Sequence, residues 1–146
     1  MPNTGNRNDP FFSFRFTITF DDLPPGGFSD CGGLQMETEV HDHVEGGLNN
    51  HTWKFATRSK QANLTLKRGI VNKVLWDWYH DISIGKMKFR NATILVLDPS
   101  GSNQVLEFQV SQAFPIKWQG PDLNAGQNNI AVEAVEFAHQ GLERRK

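Results

Sequence analysis

Apolar and polar residues alternate along most of the chain. Phe12, Phe14, Phe16, Ile18 and Phe20 fall on one side of Ser13, Arg15, Thr17 and Thr19. This two-residue period belongs to a strand that buries one face under aromatic rings. Pro24-Pro25-Gly26-Gly27 then closes the strand in a turn. After Gly32-Gly33 a second alternation sets Leu34, Met36, Thr38 and Val40 against Gln35, Glu37 and Glu39. Trp53 and Phe55 resume it beyond a polar stretch that holds Gly46-Gly47 and Asn49-Asn50. The pattern predicts a long β-hairpin arm over residues 40–52 with a glycine-softened tip. Such an arm buries little against its own body, so it is expected to dock on something.

Residues 63–82 organise the rest. Leu64 and Leu66 alternate with Thr65 and Lys67, Gly69 permits a change of direction, and Val71, Val74, Leu75, Trp78 and Ile82 recur at helical spacing. This is the one convincing helix; its Trp76 and Tyr79 lie off the main stripe and serve either a secondary core or a contact between subunits. Residues 91–98 are apolar on both faces, which predicts a central strand covered on both sides. The turn Asp98-Pro99-Ser100-Gly101 follows. Leu106, Phe108, Val110, Gln112 and Phe114 then alternate with Glu107, Gln109, Ser111 and Ala113 until Pro115 is expected to interrupt the ladder. In the last strand the apolar phase slips from Ile130, Val132 and Ala134 to Val135 and Phe137, the mark of a β-bulge. Together these elements predict a mainly β fold: an antiparallel β-barrel or sandwich with one flanking α-helix and a long β-hairpin arm. It forms a single domain over residues 1–146, with residues 1–10 as a flexible N-terminal arm.

Composition narrows the function. A formal net charge of -1 gives no global pull towards nucleic acid or anionic membrane. Charge is instead segregated locally: Glu37, Glu39, Asp42 and Glu45 precede the arm's tip, whereas residues 46–76 hold no acid and six bases. Acids and bases either pair across the hairpin, where exposure makes them weak, or meet on neighbouring copies and fix register. The single cysteine, Cys31, cannot form an internal disulfide and reads as a small residue in a Gly-rich turn. The N-terminus shows no apolar core of a secretory signal and no window approaches a membrane span, so assembly in the cytoplasm without a membrane anchor is expected.

Candidate chemistry is sparse. His41 and His43, with His51 returning opposite them, could surround a metal and leave a position open for water, the arrangement of a metal-dependent hydrolase. The soft segment that carries them and the lack of dedicated supporting groups weigh against it. Arg58, Lys60, Lys67 and Arg68 near Trp53 and Phe55 could track a single nucleic-acid strand, but the near-neutral total charge argues against specific nucleic-acid readout. No phosphate-binding glycine loop opens a helix, and no cofactor is implied.

The order of these pieces resembles the tail tube proteins of contractile phages and phage-tail-like injection systems, which are related in fold to the haemolysin-coregulated protein of type VI secretion. The resemblance rests on Asn63-Leu64-Thr65-Leu66-Lys67-Arg68-Gly69 before one amphipathic helix. It is supported by residues 94–98 with their turn, Ala113-Phe114-Pro115-Ile116-Lys117-Trp118 and the segment 132–139. It implies a structural subunit without catalysis: homohexameric rings, stacked head to tail into a hollow tube, driven through a target envelope by a sheath. The implied partners are copies of the chain itself, a sheath protein, baseplate or hub and tube-terminating proteins, and tape-measure or effector cargo in the lumen. A tube-initiating baseplate paralogue is the nearest alternative. On this resemblance the ring and subunit interfaces fall to Glu37, Glu39, His41, Asp42, His43, Glu45, Lys67, Arg68 and Trp76. The polar strand faces suited to a water-filled lumen are Ser13, Arg15, Thr17 and Thr19, or Glu107, Gln109 and Ser111.

Overall fold

The computed structural model describes residues 15–24, 27–44 and 52–146. The elements in chain order are β1 (Arg15–Phe20), β2 (Asp30–Gly32), β3 (Met36–Val44), β4 (Thr52–Gln61), β5 (Leu64–Gly69), α1 (Val74–Ser83), β6 (Arg90–Leu97), β7 (Gln104–Gln119), β8 (Val132–Ala138) and β9 (Gly141–Arg144). Seven strands join in the order β1-β6-β7-β8-β5-β2 with β9 on β7, and β3 pairs with β4 alone. Every pairing is antiparallel. The expected mainly β fold with one helix and a hairpin arm is therefore what the chain adopts.

β7 turns the sheet on itself. Its first half lies between β6 and β9, and its second half pairs with β8, so a first layer (β1, β6, β9) and a second (β8, β5, β2) share one long strand. The corner is at Gln112, where φ is 48°. There the register jumps from Ala92↔Val110 to Arg90↔Ala113, and the freed Gln112 N–H donates to Asn91 Oδ1 at 3.0 Å. Strands that pass from one packed layer to another do so through such bulges. The core positions of β7 accordingly step from Val110 to Ala113 and Pro115, whereas alternation alone would carry them from Val110 to Gln112 and Phe114. Pro115 interrupts the ladder as expected, and the strand runs on beyond it to Gln119. It sits in the half of β7 that has a strand on one side only, next to a second register shift, which are the settings where a sheet tolerates proline.

β8 carries no bulge against β5, contrary to the expectation from its phase slip. Glu133, Val135 and Phe137 all point inward. A buried carboxylate occupies a core position, and the pattern of apolar residues mistakes it for a surface one. β6 is central in order, but only Ala92, Ile94 and Val96 are buried, while Leu95 and Leu97 on its other face are half-buried. β2 and β9, too short to show a period, are further additions.

The helix closes the space between the layers with Leu75 and Trp78; Val71 precedes the helix and is exposed. Phe20 of the first layer, Phe137 of the second and Trp78 of α1 meet with ring centroids 5.2–5.4 Å apart. Rings buried to this extent each contribute roughly 1.5–3 kcal/mol. The Trp78 indole N–H donates to the Lys88 carbonyl at 2.9 Å, and the Arg90 guanidinium lies 4.6 Å above the indole. Burial lowers the Arg90 pKa.

Two expected outcomes follow from backbone detail. Gly33 has φ +93°, and a Cβ there would lie 1.9 Å from the Asn63 carbonyl oxygen. Gly33→Ala should therefore cost on the order of 1–3 kcal/mol in denaturant-induced unfolding. In the β6–β7 turn, Asp98 accepts from Ser100 Oγ at 2.6 Å, from Asn103 Nδ2 at 3.0 Å and from the Ser102 N–H at 3.2 Å, which hold its carboxyl down to about 2. A depressed carboxyl stabilises the fold above the unfolded value near 4 and loses that contribution as pH falls towards 2. Amide exchange at residues 98–103 should accelerate across that window in the wild type, and Asp98→Asn should flatten the dependence.

Candidate assembly interface

β3 and β4 form a ribbon whose described side chains are exposed on both faces, Gln61 alone being half-buried. It is longer than the 40–52 arm expected, running from Met36 and Gln61 outward, and its tip, with Glu45 and His51, lies outside the described residues. The ribbon leaves the body through residues 33–35 and 62–63, where the Ala62 N–H donates to the Gln35 carbonyl at 3.1 Å. A two-stranded ribbon has no interior of its own and is marginal in water without a surface to rest on.

A bulge of β4 at Thr57 and Arg58, opposite Glu39, divides the ribbon. The register passes from Thr38↔Ser59 to Val40↔Ala56, and Thr57 Oγ1 donates to the Glu39 carbonyl at 3.1 Å. The Glu39 carboxylate pairs with Lys60 and with Arg58 Nε at 3.7 Å. For Glu39, then, the segregated charges pair across the hairpin. Beyond the bulge His41 stands opposite Phe55 and His43 opposite Trp53, so two imidazoles and two large aromatic side chains share one face. The His43 and Phe55 rings are 6.2 Å apart. Val40, Ala56, Asp42 and Lys54 share the other. Trp53 and Phe55 are about half exposed, at 49% and 50%. Among the described residues no three metal-ligating side chains converge; His51 of the proposed trio is not among them.

On the first layer, β6 brings the two candidate polar rows together. Thr17↔Leu95↔Glu107 and Thr19↔Thr93↔Gln109 are continuous registers. Arg15, Thr17, Thr19, Glu107, Gln109 and Ser111 therefore lie on one outer face, and Ser13 is outside the described residues. Gln109 Nε2 donates to Thr93 Oγ1 at 3.0 Å on that face. Among the described residues β1 and β2 end the sheet, and each pairs with a strand on one side only. Unpaired edges of this kind invite pairing with another chain.

Lys67 and Arg68 separate. Lys67 is exposed on the outer face of β5, while Arg68 is buried, which corrects its expected place at a subunit contact. Its Nε donates to Glu133 Oε1 at 2.8 Å, and its Nη2 donates to Asn72 Oδ1 at 3.0 Å. Asn72 Oδ1 also accepts the Val74 N–H at 3.2 Å, tying this network to the start of α1. The second Glu133 oxygen accepts the Trp118 indole N–H at 2.9 Å. Trp118 meets Trp76 edge-on at 4.9 Å, and Trp76, stacked on His80 and 40% exposed, reaches the surface beside it. Sequence reasoning missed Glu133; an acid at an inward position of an otherwise apolar strand, with an arginine in a neighbouring strand, is the signal that could have found it. Burial raises the Cys31 thiol to about 11, in keeping with a packing role.

Residues 12–143 match the family model of the T4-like virus tail tube protein gp19. No curated protein sequence matches the chain. Among solved structures, a chain of the anti-feeding prophage baseplate, resolved with six-fold symmetry, is 26% identical with a TM-score of 0.76, covering 94% of this chain and 97% of that one. A chain of the PVC extracellular contractile injection system sheath-tube complex is 24% identical with a TM-score of 0.84, covering 94% and 93%. Hcp1 from Flavobacterium johnsoniae shares the fold at 8% identity, with a TM-score of 0.58 over 90% and 94% of the two chains.

The buried network gives a measurable outcome. Arg68→Met or Glu133→Gln alone leaves its partner unmatched in the interior and should cost about 3–5 kcal/mol in chemical denaturation. The double variant should cost less than the sum of the two, because no charge is left buried.

Proposed function

The chain belongs to the family of T4-like virus tail tube proteins, and we propose that it builds the inner tube of a contractile injection particle. It is a structural tube protein and performs no catalysis. In the proposed assembly six copies close into a ring, rings stack into a hollow tube, and the tube meets a sheath along its length and a baseplate and terminating cap at its ends. Assembly takes place in the cytoplasm, and the lumen carries a tape measure or effector cargo. The family match over residues 12–143 is the observation that carries this reading. The free edges at β1 and β2 and the exposed ribbon support it, because a heterologous contact satisfies both without using up the opposite face of the copy.

Within this assembly the ribbon, with Glu37, Glu39, His41, Asp42, His43 and Glu45, lies between copies, as do Lys67 and Trp76. The outer face of the first layer, from Arg15, Thr17 and Thr19 to Glu107, Gln109 and Ser111, is polar enough to border a water-filled bore. Likeness to chains from both sheath-tube and baseplate structures makes position along the particle the property that separates a main tube protein from a tube-initiating one.

Negative-stain microscopy of the purified protein should show six-fold rings and hollow stacks, and antibody labelling of intact particles should run along their whole length. A monodisperse monomer at high concentration would overturn the assembly, and labelling confined to one end would assign the chain to tube initiation.

A further inference from the structure

The root of the ribbon is tied to the second layer by two side chains of the β8 segment. On the outer face Glu136 Oε1 accepts from the Asn63 side-chain amide at 2.9 Å. On the inner side the ring of His139, one residue past β8, meets the Ala62 carbonyl through Nε2 at 3.0 Å. A carbonyl can only accept, so Nε2 carries the ring proton and Nδ1 of the neutral imidazole keeps a bare lone pair. Nδ1 is buried without a hydrogen-bond partner among the described residues, and Arg90 Nε is in the same condition. Both belong to one corner of the core. Arg90 pairs with Ala113 across β6 and β7, and His139 follows Ala138, which pairs with Phe114, so the two enter from the strands on either side of Ala113. Arg90 keeps step with the buried Ala92 and Ile94, and His139 with the buried Val135 and Phe137. Of the described histidines, His41, His43 and His80 are exposed and His139 alone is half-buried.

We propose that His139 is a proton-operated latch: neutral, it ties the ribbon root to β8, and protonated, it lets the root go. A proton on Nδ1 creates a cation whose new N–H has no acceptor where it stands, in the corner that already holds the Arg90 guanidinium. The elements around the ring offer nothing to balance it. Asp22, after β1, and Asp81 of α1 act on Arg90, and Asp22 also pairs with Lys88 at 3.8 Å. Glu136 of β8 faces outward and is engaged by Asn63. Ser111 to Phe114 of β7, residues 33–35 and 61–63 of the root, Leu64 of β5 and Gly141-Leu142 of β9 carry no ionisable side chain; the first charges along the ribbon are Glu37 and Lys60, which stand opposite each other. The charged ring gains partners only by turning to water, and turning breaks the bond to Ala62. The Ala62 N–H donates to the Gln35 carbonyl at 3.1 Å, so this one residue links β8 to both strands of the root. The latch needs a single chain and stands apart from the tube reading; within a tube it makes the body's hold on the ribbon sensitive to acid.

Hydrogen exchange of the intact chain, followed by mass spectrometry at about pH 8 and about pH 5, brackets the range in which histidines titrate. With rates corrected for the intrinsic effect of pH, protection of the Ala62 amide in the wild type should fall about tenfold at the lower pH, while residues 133–137 stay as they were. Exchange of the His139 ring C–H should show the same midpoint as the amide. His139→Gln, whose amide can donate at the place of Nε2 but does not titrate, and His139→Ala should both lose the pH dependence, and His139→Ala should be about tenfold less protected than the wild type at the higher pH. Equal wild-type protection at both pH values, different midpoints for ring and amide, a loss shared by residues 133–137, a pH dependence that survives either substitution, or full protection in His139→Ala would each overturn the latch. If neither variant folds, the two wild-type midpoints decide. Exchange reads the same on rings and on single chains, so a failure to assemble would count against the tube and leave the latch standing.

Discussion

A carboxylate withdrawn from water has to be met by donors from every side, and much of the second layer is arranged around meeting that demand for Glu133. Arg68 approaches from β5 and Trp118 from β7, the two strands that flank β8. Arg68 in turn reaches Asn72, which holds the first turn of α1, and the Phe28 ring lies 5.3 Å from the guanidinium. One ionised group thereby fixes three strands and the entry to the helix relative to each other. An apolar side chain of the same size would satisfy the volume but not the positions, since dispersion has no direction. Buried ion pairs are a poor source of net stability and a better source of defined geometry.

The interior is thus closely specified while the exterior is left unfinished. Phe20, Phe137 and Trp78 lock the layers and the helix together, yet among the described residues the sheet ends at β1 and β2, each paired on one side only, and the described side chains of β3 and β4 are exposed on both faces but for Gln61. A protein meant to work alone covers or shortens such edges. In the assembly proposed above the same features are the connectors, and the stiffness of the core lets each copy offer them at a constant angle to the next.

Much of this was legible in the sequence because two-residue periods survive wherever one face of a strand is buried. The alternation at Ile18 and Phe20 declared itself that way, the helix at Leu75 and Trp78 did so by its three-to-four-residue spacing, and the arm around Val40 and Trp53 by an alternation that its own body leaves exposed. Misreadings arose where a polar group or a bulge took an inward place. Glu133 counted as surface and created an apparent phase slip, and Gln112, with its left-handed backbone, moved the core from Val110 to Ala113. Arg68 showed the converse: adjacent to Lys67 it read as part of a basic surface pair, and only the strand's alternation places one outside and the other inside. Polar rows from β1 and β7 were visible separately, but that β6 unites them on one face is a matter of register, which no local pattern encodes.

The way the ribbon joins the body bears on how the chain carries mechanical load. Residues 33–35 and 62–63 lead directly into β2 and β5, which pair with each other from Asp30↔Lys67 to Gly32↔Thr65, and Gly33 packs so tightly against the Asn63 carbonyl that the junction has no slack. A thrust or tension applied to the ribbon therefore enters the second layer along its strands. Ladder bonds run across the strands, so force delivered lengthwise shears several of them at once, the loading under which a sheet yields last and an unzipping pull would yield first.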